Sequence, residues 1–279
     1  MRLVCFLILP LTLLAQQPDV DAIMAKVAAN QDSAQARRAA FIYSQKVWVR
    51  SFKTNGKLGC QQKTEYLVTP TEKATGKTIV SVDTECGNSG KSHINCEAEL
   101  PPDKGKETVS GIDGCLVQEL RNDLVSDKDS KDGLDQELFP LTAKELPKYT
   151  FHLDGEDTVR GHAVYRISFV PKKGGDDPSS WQGEALIDKA EYEPVVVTTK
   201  LAEKIPLAVR VLLGTNIHGL GFNVVYDKFD DGLWFPVSYG AEFRVRVIFF
   251  WARNLSVSLS NSDFRKASVT SAIQFAPVR

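Results

Sequence analysis

One segment late in the chain has a period of two over its whole length. Residues 233–250 read LWFPVSYGAEFRVRVIFF, and every odd position from Leu233 to Phe249 is apolar or small, whereas most even positions are polar or strand breakers. This period is typical of a β-strand with one apolar and one solvated face. At about 3.3 Å per residue the strand would reach roughly 60 Å, well beyond an ordinary strand. We therefore expect it to bend or break at Pro236 or Gly240.

Segments with the same period fill most of the remaining chain. Three lie before residue 84, at 41–52, 62–70 and 77–83, and seven more follow residue 148 in addition to the segment at 233–250. Strands do not alternate with helices, so the pattern excludes Rossmann and TIM-type folds. It predicts a mainly β (α+β) fold, with a curved antiparallel sheet of about eleven strands.

The apolar face of such a sheet has to be covered. A long sheet covers it by rolling into a barrel or half-barrel. Residues 18–40 predict an amphipathic helix, and this helix and the segment 131–147 are candidate covers for the open side. We therefore predict an unclosed half-barrel covered by helices. The apolar stripe of the first helix consists of Val20, Ile23, Met24 and Val27.

The first fifteen residues predict export. MRLVCFLILPLTLLA places Arg2 before an apolar run and ends in Leu-Leu-Ala, which is the layout of a cleavable secretory signal. The alternative, a short membrane anchor, has too few apolar residues to span a bilayer. We expect a signal peptide at 1–15, a single half-barrel domain at 16–279 and a periplasmic location.

Four cysteines lie beyond the signal, namely Cys60, Cys86, Cys96 and Cys115. An even number of cysteines in an oxidising compartment predicts two disulfides, and the sequence leaves all three pairings open. A zinc site is the alternative, although it usually contains a close CxxC pair and none occurs here. The last three cysteines fall in a polar insertion at about 86–147, which has little apolar content of its own.

Charge and motif content argue against nucleic acid binding and catalysis. The chain has 34 basic and 35 acidic residues, a balance that does not favour nucleic acid as a partner. His152 and His162 lie on neighbouring strands and could meet across a hairpin, but no metal-binding spacing occurs. Glu184 and Asp188 share a strand face about 13 Å apart, too far for paired carboxyl chemistry. We predict no enzyme, cofactor or metal; an envelope-polymer hydrolase using Glu184 or His152 is an alternative.

The order of several strands resembles the exported bacterial outer-membrane lipoprotein-sorting proteins of the LolA, LolB and RseB type. The run YRISFVPKKGG precedes a strand ending at 187–189 in Ile-Asp-Lys, Pro194 opens the next strand, and the turn at 231–232 leads to WFP at 234–236. The resemblance covers residues 148–276. It implies an unclosed antiparallel barrel with helices over its opening, and a hydrophobic cavity that binds acyl chains or lipidated proteins. In these carriers a latch arginine holds the helical lid, and no arginine of this chain matches it.

We expect the cavity to be lined by the apolar face of the 233–249 strand and its neighbour. The ligand would be an acyl chain, a lipid or a lipidated protein. Alternatively, these side chains pack on one another or on the helices, and the half-barrel is an envelope sensor or scaffold that binds a membrane-protein partner. The candidate lining residues are Phe222, Val224, Tyr226, Phe235, Tyr239, Phe243, Val247 and Phe249.

Overall fold

The structure, a computed structural model, describes most of the chain beyond the predicted signal. The described residues are 18–70, 75–87, 94–125, 141–172, 181–201, 215–218, 221–229, 232–247 and 251–267. The predicted signal peptide, the first part of the candidate cover at 131–147 and the last predicted strand at 268–276 lie outside them.

Two helices and thirteen strands occur in the described residues. The helices are α1, Val20–Arg38, and α2, Ile112–Val125. The strands are β1 Phe41–Lys53, β2 Leu58–Pro70, β3 Thr75–Cys86, β4 Asn95–Glu99, β5 Lys106–Ser110, β6 Tyr149–Val159, β7 His162–Pro171, β8 Trp181–Asp188, β9 Pro194–Leu201, β10 Thr215–His218, β11 Gly221–Lys228, β12 Trp234–Val247 and β13 Trp251–Lys266.

Eleven strands form one antiparallel sheet. Ten follow the order β3-β2-β1-β13-β12-β11-β9-β8-β7-β6, and β10 pairs with β12 beside this path. β3 and β6 stand at the two ends of the order and do not pair with each other, so the predicted unclosed half-barrel is confirmed. Two meanders, β1–β3 and β6–β13, join where β1 pairs with β13 along nearly its whole length.

The long strand β12 bends at a bulge. It runs through Pro236 and Gly240 without a break, but Val225 pairs with Ser238 whereas Tyr226 pairs with Pro236. Val237 therefore has no partner on β11, which is the arrangement of a β-bulge. Asn261 of β13 donates to the Pro236 carbonyl at 2.9 Å, so the carbonyl next to the bulge is satisfied.

Helix α1 forms as the sequence predicts. Asp19 caps it by accepting the Asp21 N–H at 3.0 Å, and Arg37 and Arg38 lie at its negative end, where positive charge is favourable. Ile23, Met24, Val27 and Ala34 are buried in the core. Neither α1 nor α2 has the length and apolar content of a membrane-spanning helix, as far as the described residues go.

The polar insertion contains more structure than its composition indicates. It holds the β4–β5 hairpin and α2, which packs against β1 and β2. α2 is therefore the second helix over the sheet, whereas the part of the 131–147 segment that is described forms turns up to a 3₁₀ turn at Leu146–Lys148. The four cysteines form the two predicted disulfides, and the pairing is Cys60–Cys86 and Cys96–Cys115.

Candidate ligand-binding sites

One face of the sheet carries the apolar core, and it holds five of the eight candidate lining residues. All five have at most 7% exposure. Val224 pairs in register with Tyr239, and the Phe222 ring lies 4.8 Å from the Trp181 ring and 5.1 Å from the Tyr239 ring, centroid to centroid. The side chains of Phe243 and Val247 and the whole of Phe249 lie outside the described residues. The five are Phe222, Val224, Tyr226, Phe235 and Tyr239.

Helix α1 is attached to the sheet at a few polar points. Arg38 is buried and its Nη1 donates to the Trp234 carbonyl at 3.2 Å. Asn30 donates its side-chain amide to the carbonyls of Glu191 and Tyr192, at 2.7 and 3.2 Å. All three acceptors lie in or beside the turn between β8 and β9 or at the start of β12.

The residues that carry the family resemblance build this attachment point. Asp188 ends β8 and accepts the N–H groups of Ala190 and Glu191 at 2.9 and 2.7 Å, which holds the turn. Its other oxygen contacts His162 Nδ1 at 3.0 Å. Trp234 donates its indole N–H to Glu191 at 2.9 Å. The Ile-Asp-Lys and Trp-Phe-Pro segments thus meet in space and position the turn on which α1 rests.

The pKa values of two carboxylates at this attachment point are shifted in opposite directions. Burial raises the pKa of Glu193 to about 7, against the opposing effects of Arg38, Arg37 and the Gln31 amide. The Gln31 amide donates to Glu193 at 2.5 Å. Hydrogen bonds from Lys228 and then Trp234 hold the pKa of Glu191 below its usual range.

A buried ion pair attaches α2 to the same face. Arg253 of β13 donates through Nε and Nη2 to the two carboxylate oxygens of Asp113 in the first turn of α2, at 2.5 and 3.0 Å. Ser51 of β1 donates to the same carboxylate at 2.7 Å. Burial acts to raise the pKa of Asp113, but the hydrogen bonds from Arg253 and Ser51 outweigh it and hold the pKa below its usual range. A Cβ at Gly59 would lie 2.6 Å from this carboxylate, so glycine leaves room for it.

Sequence reasoning missed Arg253, although the strand pattern contains a signal for it. Arg253 has the same parity as Leu255, Val257 and Leu259, which are buried on the core face. An arginine in phase with an apolar stripe is costly unless it has a partner, and its partner here is Asp113. It is the described residue that most clearly links the sheet to a covering helix.

The opposite face of the sheet contains a second site. A cavity of about 730 Å³ is bordered by residues of six neighbouring strands, from β3 to β11. A second cavity of about 420 Å³ continues it along the strands and shares Asn223, Gly240 and Ser258 with it. We call the two cavities together the trough. The central strands contribute mainly small side chains to the trough, which leaves room above the backbone; they are Ser238, Gly240, Ser258 and Ser260.

The candidate catalytic groups lie apart in ordinary polar contacts. His152 contacts Asp154 at 2.7 Å, whereas His162 contacts Asp188, so the two histidines do not meet as their strand positions suggested. Glu184 pairs with Arg166 across the strands at 3.0 Å. Within the described residues, no group of three or more His, Cys, Asp or Glu side chains converges as a metal site would.

The described fold is an unclosed antiparallel half-barrel with two helices over its apolar face, and several solved structures are similar to it. A DUF1329 family protein from Desulfovibrio piger matches with a TM-score of 0.41 and 15% identity over 90% of this chain and 95% of the other. An outer-membrane lipoprotein-sorting protein domain from Vibrio parahaemolyticus matches with a TM-score of 0.38 and 13% identity over 89% and 95%. A LolA superfamily protein from Nitrosomonas europaea matches with a TM-score of 0.35 and 10% identity over 91% and 96%.

The structural neighbours thus include the lipoprotein-sorting group that the order of the strands resembles. No protein-family model matches the chain, and no curated protein matches its sequence.

Proposed function

We propose that this chain is an exported, periplasmic protein that binds a lipid or lipidated protein by holding an acyl chain against the apolar face of its half-barrel. The observation that carries the proposal is the way this face is covered. Its aromatic residues belong to one buried cluster with Ile23 and Met24 of α1 and Val117 of α2. Each helix is attached through specific polar contacts, Arg253–Asp113 for α2 and Arg38–Trp234 for α1.

Helices held by a few polar contacts can move away from the apolar face and return to it. Apolar burial favours a closed face by about 25 cal/mol per Å², and an acyl chain offers the same burial in place of a helix. The polar contacts fix where each helix returns after release. The candidate lining remains the set Phe222, Val224, Tyr226, Phe235, Tyr239, Phe243, Val247 and Phe249, with no catalytic residue or cofactor.

The test is to purify the mature protein from a bacterial periplasm and to compare its native and denatured masses. We expect a stoichiometric adduct in the native mass, and an acyl-containing compound in an organic extract. The denatured mass would begin near Gln16 if the predicted signal is removed. A clean native mass would contradict the acyl-binding proposal and favour the sensor or scaffold alternative, which a pull-down of a membrane-protein partner would test.

A variant at Phe243 tests where the acyl chain binds. Phe243 pairs in register with Leu255, which is 4% exposed on the apolar face. Phe243→Asp should abolish the adduct because it adds a carboxylate on the apolar face of the strand, where an unpaired charge is unfavourable. Asn254→Asp is the matched control, because it adds the same charge at an exposed position of β13. If Phe243→Asp folds and still carries lipid, Phe243 does not line the cavity.

A further inference from the structure

We propose that the trough on the opposite face is a separate binding site for an amphiphile whose carboxylate or phosphate group lies at Arg50 and whose apolar chain lies along the larger cavity. This inference goes beyond the proposed function, because it concerns the other face of the sheet and different residues.

Arg50 is fixed in place and has unused donors. Its guanidinium carbon lies 4.2 Å from the centroid of the Trp48 ring and 5.6 Å from that of Phe52, so it is stacked between its neighbours on the same strand face. Its Nη2 donates to Ser256 at 2.9 Å. Its Nε is buried and has no acceptor among the described residues. The side chain is only partly buried, so its outer Nη groups, rather than Nε, can meet the two oxygens of a carboxylate or phosphate in the cavity.

The surroundings of Arg50 supply further donors. Ser256, Ser258, Thr198 and Asn223 border the smaller cavity together with Arg50. Hydroxyl and amide groups can each donate a hydrogen bond to an oxyanion. Charged and neutral donors therefore border the same cavity, and we place the head of the ligand in it.

Trp48 forms an ordered apolar wall next to the proposed head position. Its indole N–H donates to Gln61 at 3.0 Å, and Gln61 in turn donates to Glu85 at 2.7 Å, which fixes the ring. Trp48 borders the larger cavity together with Val225. An apolar chain that starts at Arg50 would pass over Gly240 and Ser258, which the two cavities share, and continue between Trp48 and Val225.

The charges at the rim orient the ligand. Lys46 and Lys63 border the larger cavity, where Glu65 and Asp83 lie opposite them on the neighbouring strands and balance their charge. Arg50 is the cation that borders the smaller cavity. Glu242 borders the smaller cavity from β12. Arg50 and Glu242 both pair with Ser256 of the strand between them, so their backbones lie two strand spacings, or about 10 Å, apart. An anion at Arg50 is attracted by β1 and repelled by Glu242, so Glu242 should weaken binding.

The test is calorimetric titration of the mature protein, stripped of bound lipid, with dodecanoate and dodecyl phosphate. Dodecanol, acetate and inorganic phosphate are the matched probes that lack the charge or the chain. We expect both amphiphiles to bind, and each probe to bind at least about tenfold more weakly, because both the charged hydrogen bonds and the apolar burial are needed. Dodecanoate and dodecyl phosphate compared with each other show whether the head is a carboxylate or a phosphate.

Four variants locate the site. Arg50→Gln should weaken dodecanoate binding by about tenfold or more, whereas Arg265→Gln, an exposed arginine of β13, should not. Glu242→Gln should strengthen binding. Gly240→Val should block it while the protein still folds, because a Cβ at Gly240 meets only the Val257 carbonyl, at 3.9 Å.

Three results would each overturn a different part of this proposal. Equal binding of dodecanol and dodecanoate, or equal effects of Arg50→Gln and Arg265→Gln, would overturn the anion site. Equal binding of acetate and dodecanoate would leave a site for a free anion and overturn the amphiphile. Binding that survives Gly240→Val but is lost in Phe243→Asp would place the ligand on the apolar face instead, so failure here is distinguishable from failure of the proposed function.

Discussion

Arg253 and Asp113 place opposite charges inside the apolar face, and the pair is a sensitive point for stability. Breaking a buried pair by removing one partner leaves an unpaired charge and costs about 3 kcal/mol or more. We therefore expect Asp113→Asn to lower the free energy of unfolding by about 3 kcal/mol, measured by urea denaturation of the disulfide-intact protein.

Two further variants show whether the unpaired charge causes the loss of stability in Asp113→Asn. Glu97→Gln breaks the exposed pair with Lys106 and should change stability little, since exposed pairs are screened by solvent. Replacing both buried partners, as Asp113→Leu with Arg253→Met, should recover much of the loss. If the double variant is as unstable as Asp113→Asn, the shape of the site rather than its charge is decisive.

Glu193 makes stability depend on pH near neutrality. Its pKa is raised from 4.5 to about 7 in the folded protein, so the folded state binds a proton that the unfolded state releases. The contribution is fully present below pH 4.5 and is lost as the pH rises through about 7. We expect the unfolding free energy to fall between these values, and Glu193→Gln to remove this slope, in denaturation curves recorded from pH 4.5 to pH 8.

The Asp113 carboxylate makes stability depend on pH in a different range from Glu193. Its pKa is lowered from the usual 3.8, so its contribution is present above pH 3.8 and is lost only in stronger acid. Glu193→Gln should leave that acid limb intact. A neutral-pH slope that persists in Glu193→Gln would show that Glu193 is not its source.

At the residue scale the sequence predicts burial better than pairing. The period of two places Phe222, Val224 and Tyr239 on the apolar face, where the structure has them. It does not predict that Arg253 meets Asp113, because the two lie 140 positions apart and only the pairing of β1 with β13 brings them together. The trough escapes sequence reasoning for the same reason, since its residues come from six strands.

At the element scale, α2 and the β4–β5 hairpin form a small disulfide-linked unit. The Cys96–Cys115 bond connects β4 to α2 across 19 positions, and a loop of that length contributes about 3 kcal/mol through the entropy of the unfolded chain. We expect Cys96→Ala with Cys115→Ala to lower the free energy of unfolding by about that amount. Hydrogen exchange should increase in β4, β5 and α2 and remain slow in β12 and β13.

A different exchange pattern would contradict this local role. If exchange increased equally across the central strands, the bond would stabilise the whole sheet instead. Cys60→Ala with Cys86→Ala is the informative comparison, because that bond joins the paired strands β2 and β3 within the main sheet.

The sequence predicts strands correctly where the apolar–polar alternation continues over many residues, and it misses strands where the alternation is short. Strands such as β7 and β12 alternate over ten and fourteen residues, enough to define one face. β4 and β5 have five residues each, mostly polar, too few to define an apolar face. The bend of β12 was expected at a breaker, but the bulge lies at Val237 because the Pro236 nitrogen has no proton to donate and the register slips beside it.

At the scale of the whole molecule, the two disulfides connect folding to the compartment. The four cysteines of the described residues are all paired. We expect protein from an oxidising compartment to show no free thiol until it is denatured and reduced, in a thiol titration. The same chain made in a reducing cytoplasm should unfold at lower urea concentration; equal midpoints would show that the bonds add no stability.

The strand order also determines when the sheet can be completed. β1 is an interior strand whose second partner is β13, with Val47 opposite Leu259, so one of its edges has no partner until the last described strand arrives. Contacts between such distant segments form slowly because a long loop has to close first. If the chain is exported as proposed, it crosses the membrane from its N-terminus with two unjoined meanders and an unpaired strand edge. We expect the final folding step to follow release of the chain, and this interval is when proteases and chaperones have access to it.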